Sequence, residues 1–148
     1  MLIDRAWIEA HIPHKHDMCL LEQVLAWDAQ RLRARAISHR DQSNPLRSHD
    51  RLASVCGVEY AAQAMAVHGA LLASAQEAPR AGFLASIRNT ELHVARLDDI
   101  ACDLLIEVER FSGDANNILY DFTVRAEDRL LLTGRAAVVL NAEARLPS

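Results

Sequence analysis

An α+β fold, with a curved antiparallel sheet wrapped around one long central helix, is what this chain predicts, and three observations carry that reading. Residues 52–67 (Leu-Ala-Ser-Val-Cys-Gly-Val-Glu-Tyr-Ala-Ala-Gln-Ala-Met-Ala-Val) form an alanine-rich run with a single acid, and apolar density of this kind marks a buried helix. Strand-like runs lie on both sides of it, two before and four after. Turn-forming clusters separate the later runs: Asp98-Asp99, Gly113 to Asn117, and Ala126-Glu-Asp128. Small alanines let a helix backbone sit close to a curved surface, and an antiparallel sheet curled around such a helix buries it on most sides.

The elements follow in order. Residues 4–10 (Asp-Arg-Ala-Trp-Ile-Glu-Ala) predict a short helix that Pro13 stops within a few residues. Met18 to Trp27 is mostly apolar and reads as a strand. After a turn at Asp28-Ala-Gln, Arg31, Arg33 and Arg35 alternate with Leu32, Ala34 and Ala36, the period of a strand wet on one face. Residues 39–50 are polar and irregular, ending in Ser48 or Asp50, either able to cap the helix expected over about 54–75. Beyond the Pro79 break, strands are expected near 82–96, 101–111, 117–126 and 130–142, with Ile118, Tyr120, Phe122 and Val124 sharing one face of the third. There is no internal repeat or linker, and 148 residues fit one domain, 1–148, with a core of its own.

Composition removes several functional classes. With 16 basic and 20 acidic residues and a net charge of -4, the chain offers no basic excess for nucleic acid. Three scattered cysteines, Cys19, Cys56 and Cys102, form neither a disulfide framework nor a zinc knuckle and fit a reducing cytoplasm. No run reaches the roughly 18 apolar residues of a membrane span, and the N-terminus has no basic-then-apolar leader. His14 and His16 lack a third ligand at useful spacing, so no metal is expected. Cys56 reads as packing and His68 and His93 as ordinary helix and strand residues, while Arg31, Arg33 and Arg35 read as a solvated face.

The chemistry concentrates on the helix. Glu59 is a carboxylate in an apolar run; if buried it costs several kcal/mol unless paired, and its pKa moves toward values useful in proton transfer. Gln63, one turn on, shares its face. The plain alternative is a core acid pinned to a backbone amide or an arginine.

Three segments resemble the 3-hydroxyacyl-acyl-carrier-protein dehydratases of the hotdog superfamily. Ile12-Pro-His-Lys-His-Asp-Met-Cys-Leu-Leu-Glu-Gln-Val24 resembles their opening strand, Glu59-Tyr-Ala-Ala-Gln63 their helix motif, and Gly82-Phe-Leu with Val94, Asp99 and Ile100 their third strand and its turn. Glu-Tyr-Ala-Ala-Gln with Gly-Phe-Leu-Ala-Ser-Ile-Arg88 is most similar to a divergent branch of predicted dehydratases, some of aryl polyene biosynthesis. The resemblance implies a homodimer or a heterodimer with a related subunit, and interface tunnels that receive chains carried on the phosphopantetheine of an acyl carrier protein or on coenzyme A, with no other cofactor.

It also implies roles. Glu59 takes the place of the acid that handles the leaving hydroxyl, Gln63 that of the motif glutamine, and backbone N–H groups at the helix start, Ser54 and Val55, that of the oxyanion donors. Where the family has a loop histidine this chain has Pro45, beside Asn44, and Asn44, Gln63 and Arg88 are the expected substrate contacts. The base must therefore come from His49, or behind it from His39 or His14; Arg88 and Arg96 are candidates for the tunnel mouth and the carrier. Two rival readings remain at this stage: a non-catalytic hotdog partner or acyl-binding subunit, and an acyl thioesterase.

Overall fold

The computed structural model describes residues 3–12, 18–74, 81–113 and 117–141. Their order is β1 (Ile3–Asp4), α1 (Arg5–His11), β2 (Gln23–Trp27), β3 (Arg31–Ala36), α2 (Gly57–Ser74), β4 (Ala81–Leu92), β5 (Leu104–Gly113), β6 (Asn117–Ala126) and β7 (Arg129–Asn141). Seven strands form one antiparallel sheet in the order β1-β2-β3-β5-β6-β7-β4. The helix α2 packs against the concave side of β3, β5 and β6.

Period-two patterning decides which side of the sheet is dry. Leu32, Ala34 and Ala36 are fully buried, whereas Arg31 and Arg33 are exposed and Arg35 half-buried. Ile118, Tyr120, Phe122 and Val124 are all buried on β6, as their alternation requires. On the outer face cross-strand ion pairs join Arg31 to Glu109 at 3.3 Å and Arg135 to Asp121 at 2.9 Å. Exposed pairs of this kind contribute at most about 1 kcal/mol each.

Several boundaries differ from the sequence expectation, each for a physical reason. Asp4 is not the first residue of α1 but its cap, its carboxylate accepting the Trp7 N–H at 3.0 Å. The strand expected from Met18 begins only at Gln23, because residues 18–21 turn their backbone groups toward α2 rather than a neighbouring strand. Ser48 and Asp50 do not cap α2. His49 and Asp50 have φ of 53° and 66° and form a two-residue turn closed by reciprocal Ser48–Arg51 backbone bonds of 2.8 and 3.0 Å. A short 3₁₀ turn, Ser54–Cys56, leads into α2 without a side-chain cap. The strand expected over 82–96 ends at Leu92, since residues 95–97 pair with 52–54 instead.

Candidate functional site

The start of α2 is fixed by a short antiparallel pairing. Leu97 N–H donates to Leu52 O at 2.7 Å, and Ser54 N–H donates to Ala95 O at 3.0 Å. Asp98, nearly buried, accepts Leu52 N–H at 2.9 Å and pairs with the Arg96 guanidinium. That guanidinium holds the Asp98 carboxyl far below the usual carboxylate range. Arg96 is therefore a clamp on the helix start. Ser54 N–H, expected as an oxyanion donor, is already engaged. Val55 N–H has no acceptor among the described residues, and Val55 is 54% exposed.

On α2 the polar side chains divide sharply. Tyr60, Gln63 and His68 are at most 1% exposed. Gln63 accepts Leu20 N–H at 2.8 Å and donates to Met18 O at 2.6 Å, so it serves as a substitute peptide for a segment that joins no strand; both polar ends are used on main chain, not on a substrate. Glu59 is exposed and has no ion-pair partner among the described residues. Its surroundings on the same face are Val55, Val58, Ala62, Ala66, Gly69 and Ala73, exposed or half-buried. Solvated helix faces ordinarily carry charged residues; this one carries a single carboxylate on an apolar strip. Exposed Met18 lies at its edge, tied there by the Gln63 bond.

Asn44, expected to touch substrate, is buried and fully engaged. Its Nδ2 donates to Ser38 O at 2.8 Å and to the Tyr60 hydroxyl at 3.1 Å, while its Oδ1 accepts Leu46 N–H at 2.9 Å. It holds the loop to the helix, with Pro45 exposed beside it. Arg88 lies opposite Arg135 in the β4–β7 register and is exposed. Its neighbours Ile87 and Ala136 face the core, so Arg88 points away from α2 and does not border the Glu59 face. Cys56 donates to Leu46 O at 3.9 Å, and burial, with the nearby Glu59 charge, pushes its thiol up.

None of the described histidines joins Glu59. His49 sits exposed in its tight turn. His39 is fully buried, its Nε2–H shared between Ile100 O at 3.1 Å and Cys102 O at 2.9 Å. His68 donates from Nε2 to Asp28 O and accepts the Tyr120 hydroxyl at Nδ1, both at 2.8 Å, so it is a core tie rather than an ordinary helix residue. His93 pairs with Glu91 at 3.7 Å on the outer side of the sheet. His14 and His16 lie outside the described residues. Clefts of about 460 and 410 Å³ open beside Cys102 and beside Asn44, and neither includes Glu59. Among the described residues no group of three His, Cys, Asp or Glu is placed to hold a metal ion, and no helix is long and apolar enough to cross a membrane.

Burial holds both His39 and His68 below the ordinary imidazole value. The unfolded chain therefore binds more protons, and stability that is complete above about pH 6.5 is lost as pH falls through the folded values. Denaturant melts between pH 8 and 5 are expected to show this loss at a slope of up to about 1.4 kcal/mol per pH unit for each histidine. A flat profile over that interval would contradict the neutral, buried assignment. Asp98 adds a separate loss only at more acidic pH, where its carboxylate protonates.

An antiparallel sheet cupped on one long helix, with a lone acid on the helix face the sheet leaves open, defines a hotdog protein. The chain belongs to the ApeP-like family, described as ApeP dehydratase, whose family model matches residues 6–146. No curated protein matches it in sequence. Among solved structures it is similar to a chain of the ApeI:P dehydratase heterocomplex from Xenorhabdus doucetiae, with TM-score 0.80, 22% identity and 90% of each chain covered. AziG of S. sahachiroi matches at TM-score 0.56 and 16% identity over 80% of this chain and 89% of that one. A Staphylococcus aureus thioesterase matches at TM-score 0.60 and 10% identity over 80% and 91%. These identities speak to the fold, and the hotdog architecture is common to all three.

Proposed function

We propose that this chain is the acid-bearing subunit of a 3-hydroxyacyl-thioester dehydratase in fatty acid or polyketide synthesis of the aryl polyene type, paired with a second hotdog subunit in the cytoplasm. The substrate rides on the phosphopantetheine of an acyl carrier protein, or on coenzyme A, and no further cofactor is needed. The observation that carries the reading is the open face of α2: Glu59 lies one turn from the Val55 N–H, neither with a partner among the described residues, on a strip of small apolar residues that bears no histidine. An apolar strip of this length calls for a covering surface, and the Xenorhabdus relative is a dehydratase heterocomplex.

The chemistry divides between the two walls. The thioester oxygen accepts the Val55 N–H, which stabilises negative charge as the α-proton leaves. A base on the partner takes that proton, since no described histidine of this chain contacts Glu59: His39 and His68 are bonded in the core, His11 meets Trp7 O, and His49 sits in its loop turn. Glu59 delivers a proton to the 3-hydroxyl, the C–O bond breaks, and water departs from the trans-enoyl thioester. Proton return from the base to Glu59 through solvent closes the cycle.

The absent family histidine also favours a second reading, a non-catalytic partner of an active dehydratase. One assay separates them: turnover of a 3-hydroxyacyl pantetheine thioester by the chain alone, by the hotdog subunit encoded nearest to it, and by the two together. The proposal expects activity only in the mixture and its loss with Glu59→Gln. Full activity of the second subunit alone, unchanged by Glu59→Gln in the mixture, gives the non-catalytic reading. Release of free thiol instead of enoyl product gives a thioesterase.

A further inference from the structure

The mechanism leaves three buried polar side chains of α2 unused, and all three point to other segments. The Tyr60 hydroxyl meets Ser38 Oγ at 2.8 Å and Asn44 Nδ2 at 3.1 Å; Ser38 Oγ in turn donates to Leu20 O at 2.8 Å. Gln63 holds both Met18 O and Leu20 N–H. His68 joins Asp28 O and Tyr120. Each tie reaches a different part of the chain, and each has directional geometry. The apolar packing around them, Ala61 and Ala64 with the larger Met65, Val67 and Leu71, all buried, is of another kind, because it is non-directional. It holds α2 against the sheet and resists a large turn, yet a small rotation about the helix axis disturbs it less than it disturbs a directional bond. Directional bonds on buried polar groups define it strongly, which is the best-attested use of such groups.

We propose that Tyr60 and Gln63 are positioning residues that set the rotation of α2 and so aim Glu59 out of the protein's own core. Tyr60 is the next residue after Glu59 and Gln63 lies one turn on, so their ties act on the turn that carries the acid. A turn of α2 toward the sheet would swing Glu59 under the Met18–Leu21 segment; both ties oppose it, since Gln63 and Ser38 together hold the N–H and C=O of Leu20. The inference rests on Glu59 as the site acid, but the rotation is measurable without activity.

The test places one cysteine at a time on the two edges of the open face, Ala70→Cys on the Gln63 edge and Met65→Cys on the buried edge opposite, and follows alkylation at each site by mass spectrometry. The native background is compared with Tyr60→Phe/Gln63→Met, which keeps side-chain size and removes the ties. The expected result is a fall of about tenfold or more in the ratio of the labelling rate at 70 to that at 65, with the far-UV spectrum unchanged, as a turn of Glu59 toward the Met18–Leu21 segment buries position 70 and exposes position 65. In the assembled enzyme the same variant should lose kcat about 100-fold with KM nearly constant, the signature of a misplaced catalytic group. A ratio within about twofold of the native one in a folded variant overturns the proposal, since packing alone would then suffice. If the double variant fails to fold, Tyr60→Phe alone decides by the same criterion. Glu59→Gln separates the two readings: retained activity sinks the acid assignment and leaves the ties standing, whereas lost activity with a native labelling ratio preserves the acid whatever the ties do.

Discussion

Glu59→Gln is expected to lower dehydration in the assembled enzyme by about 10²- to 10⁴-fold, the range that a positioned general acid supplies. The amide keeps the shape of the carboxyl and still forms hydrogen bonds, but it has no proton to give the leaving hydroxyl. Protein stability should barely register the change. Glu59 is exposed and has no ion-pair partner among the described residues, and substitutions at such positions stay within about 0.5 kcal/mol. Assembly should tolerate it too, because a neutral side chain is easier to cover than a charge. The decisive measurement is therefore a pair: turnover of a 3-hydroxyacyl thioester, and a denaturant midpoint on the same preparation. A loss in both would assign Glu59 to folding; a loss in neither would move the site away from α2.

The sequence carried the sheet and the long helix because both follow from local periodicity. Alternation on β3 and β6 reappears directly as exposed and buried faces. What local pattern could not carry was the docking of distant segments. Residues 95–97 look like the end of a strand, yet they pair with 52–54 to seat the helix start, and this is why Ser54 N–H is spent while Val55 N–H is free. Gln63 shows the same limit at the site. Four-residue spacing places it beside Glu59, but its surroundings are set by Met18 and Leu20 far upstream, and these draw it inside while Glu59 stays out. Asn44 was legible as part of the loop and not as a loop tie, since the Tyr60 hydroxyl that fixes it is known only from the fold. The expectation that α2 is buried on most sides holds: from 57 to 73 only Glu59 and Gly69 are exposed. The strip that carries them is half-covered by the described residues, and no periodicity reveals what a second chain would cover.

Two glycines on α2 should respond oppositely to the same added methyl group. A Cβ on Gly57 would sit 2.6 Å from Leu132 Cδ2 and 3.0 Å from Cδ1. Leu132 is fully buried, so it cannot step aside freely, and overpacking of this kind costs typically about 1–3 kcal/mol. At Gly69 a Cβ meets nothing within 4 Å. There Ala should stabilise the protomer by about 0.5–1 kcal/mol, because glycine in a helix interior sacrifices more backbone entropy. Neither glycine has positive φ, so backbone strain does not enter the comparison. Urea midpoints of Gly57→Ala and Gly69→Ala should therefore fall on opposite sides of the native value. Gly57→Ala should also reduce turnover, because Leu132 is the surface against which the helix start rests and lifting it displaces Val55 N–H and Glu59 together. Equal midpoints for the two variants would mean that the start of α2 does not rest on Leu132, and the placement of the open face, with the acid on it, would have to be redrawn.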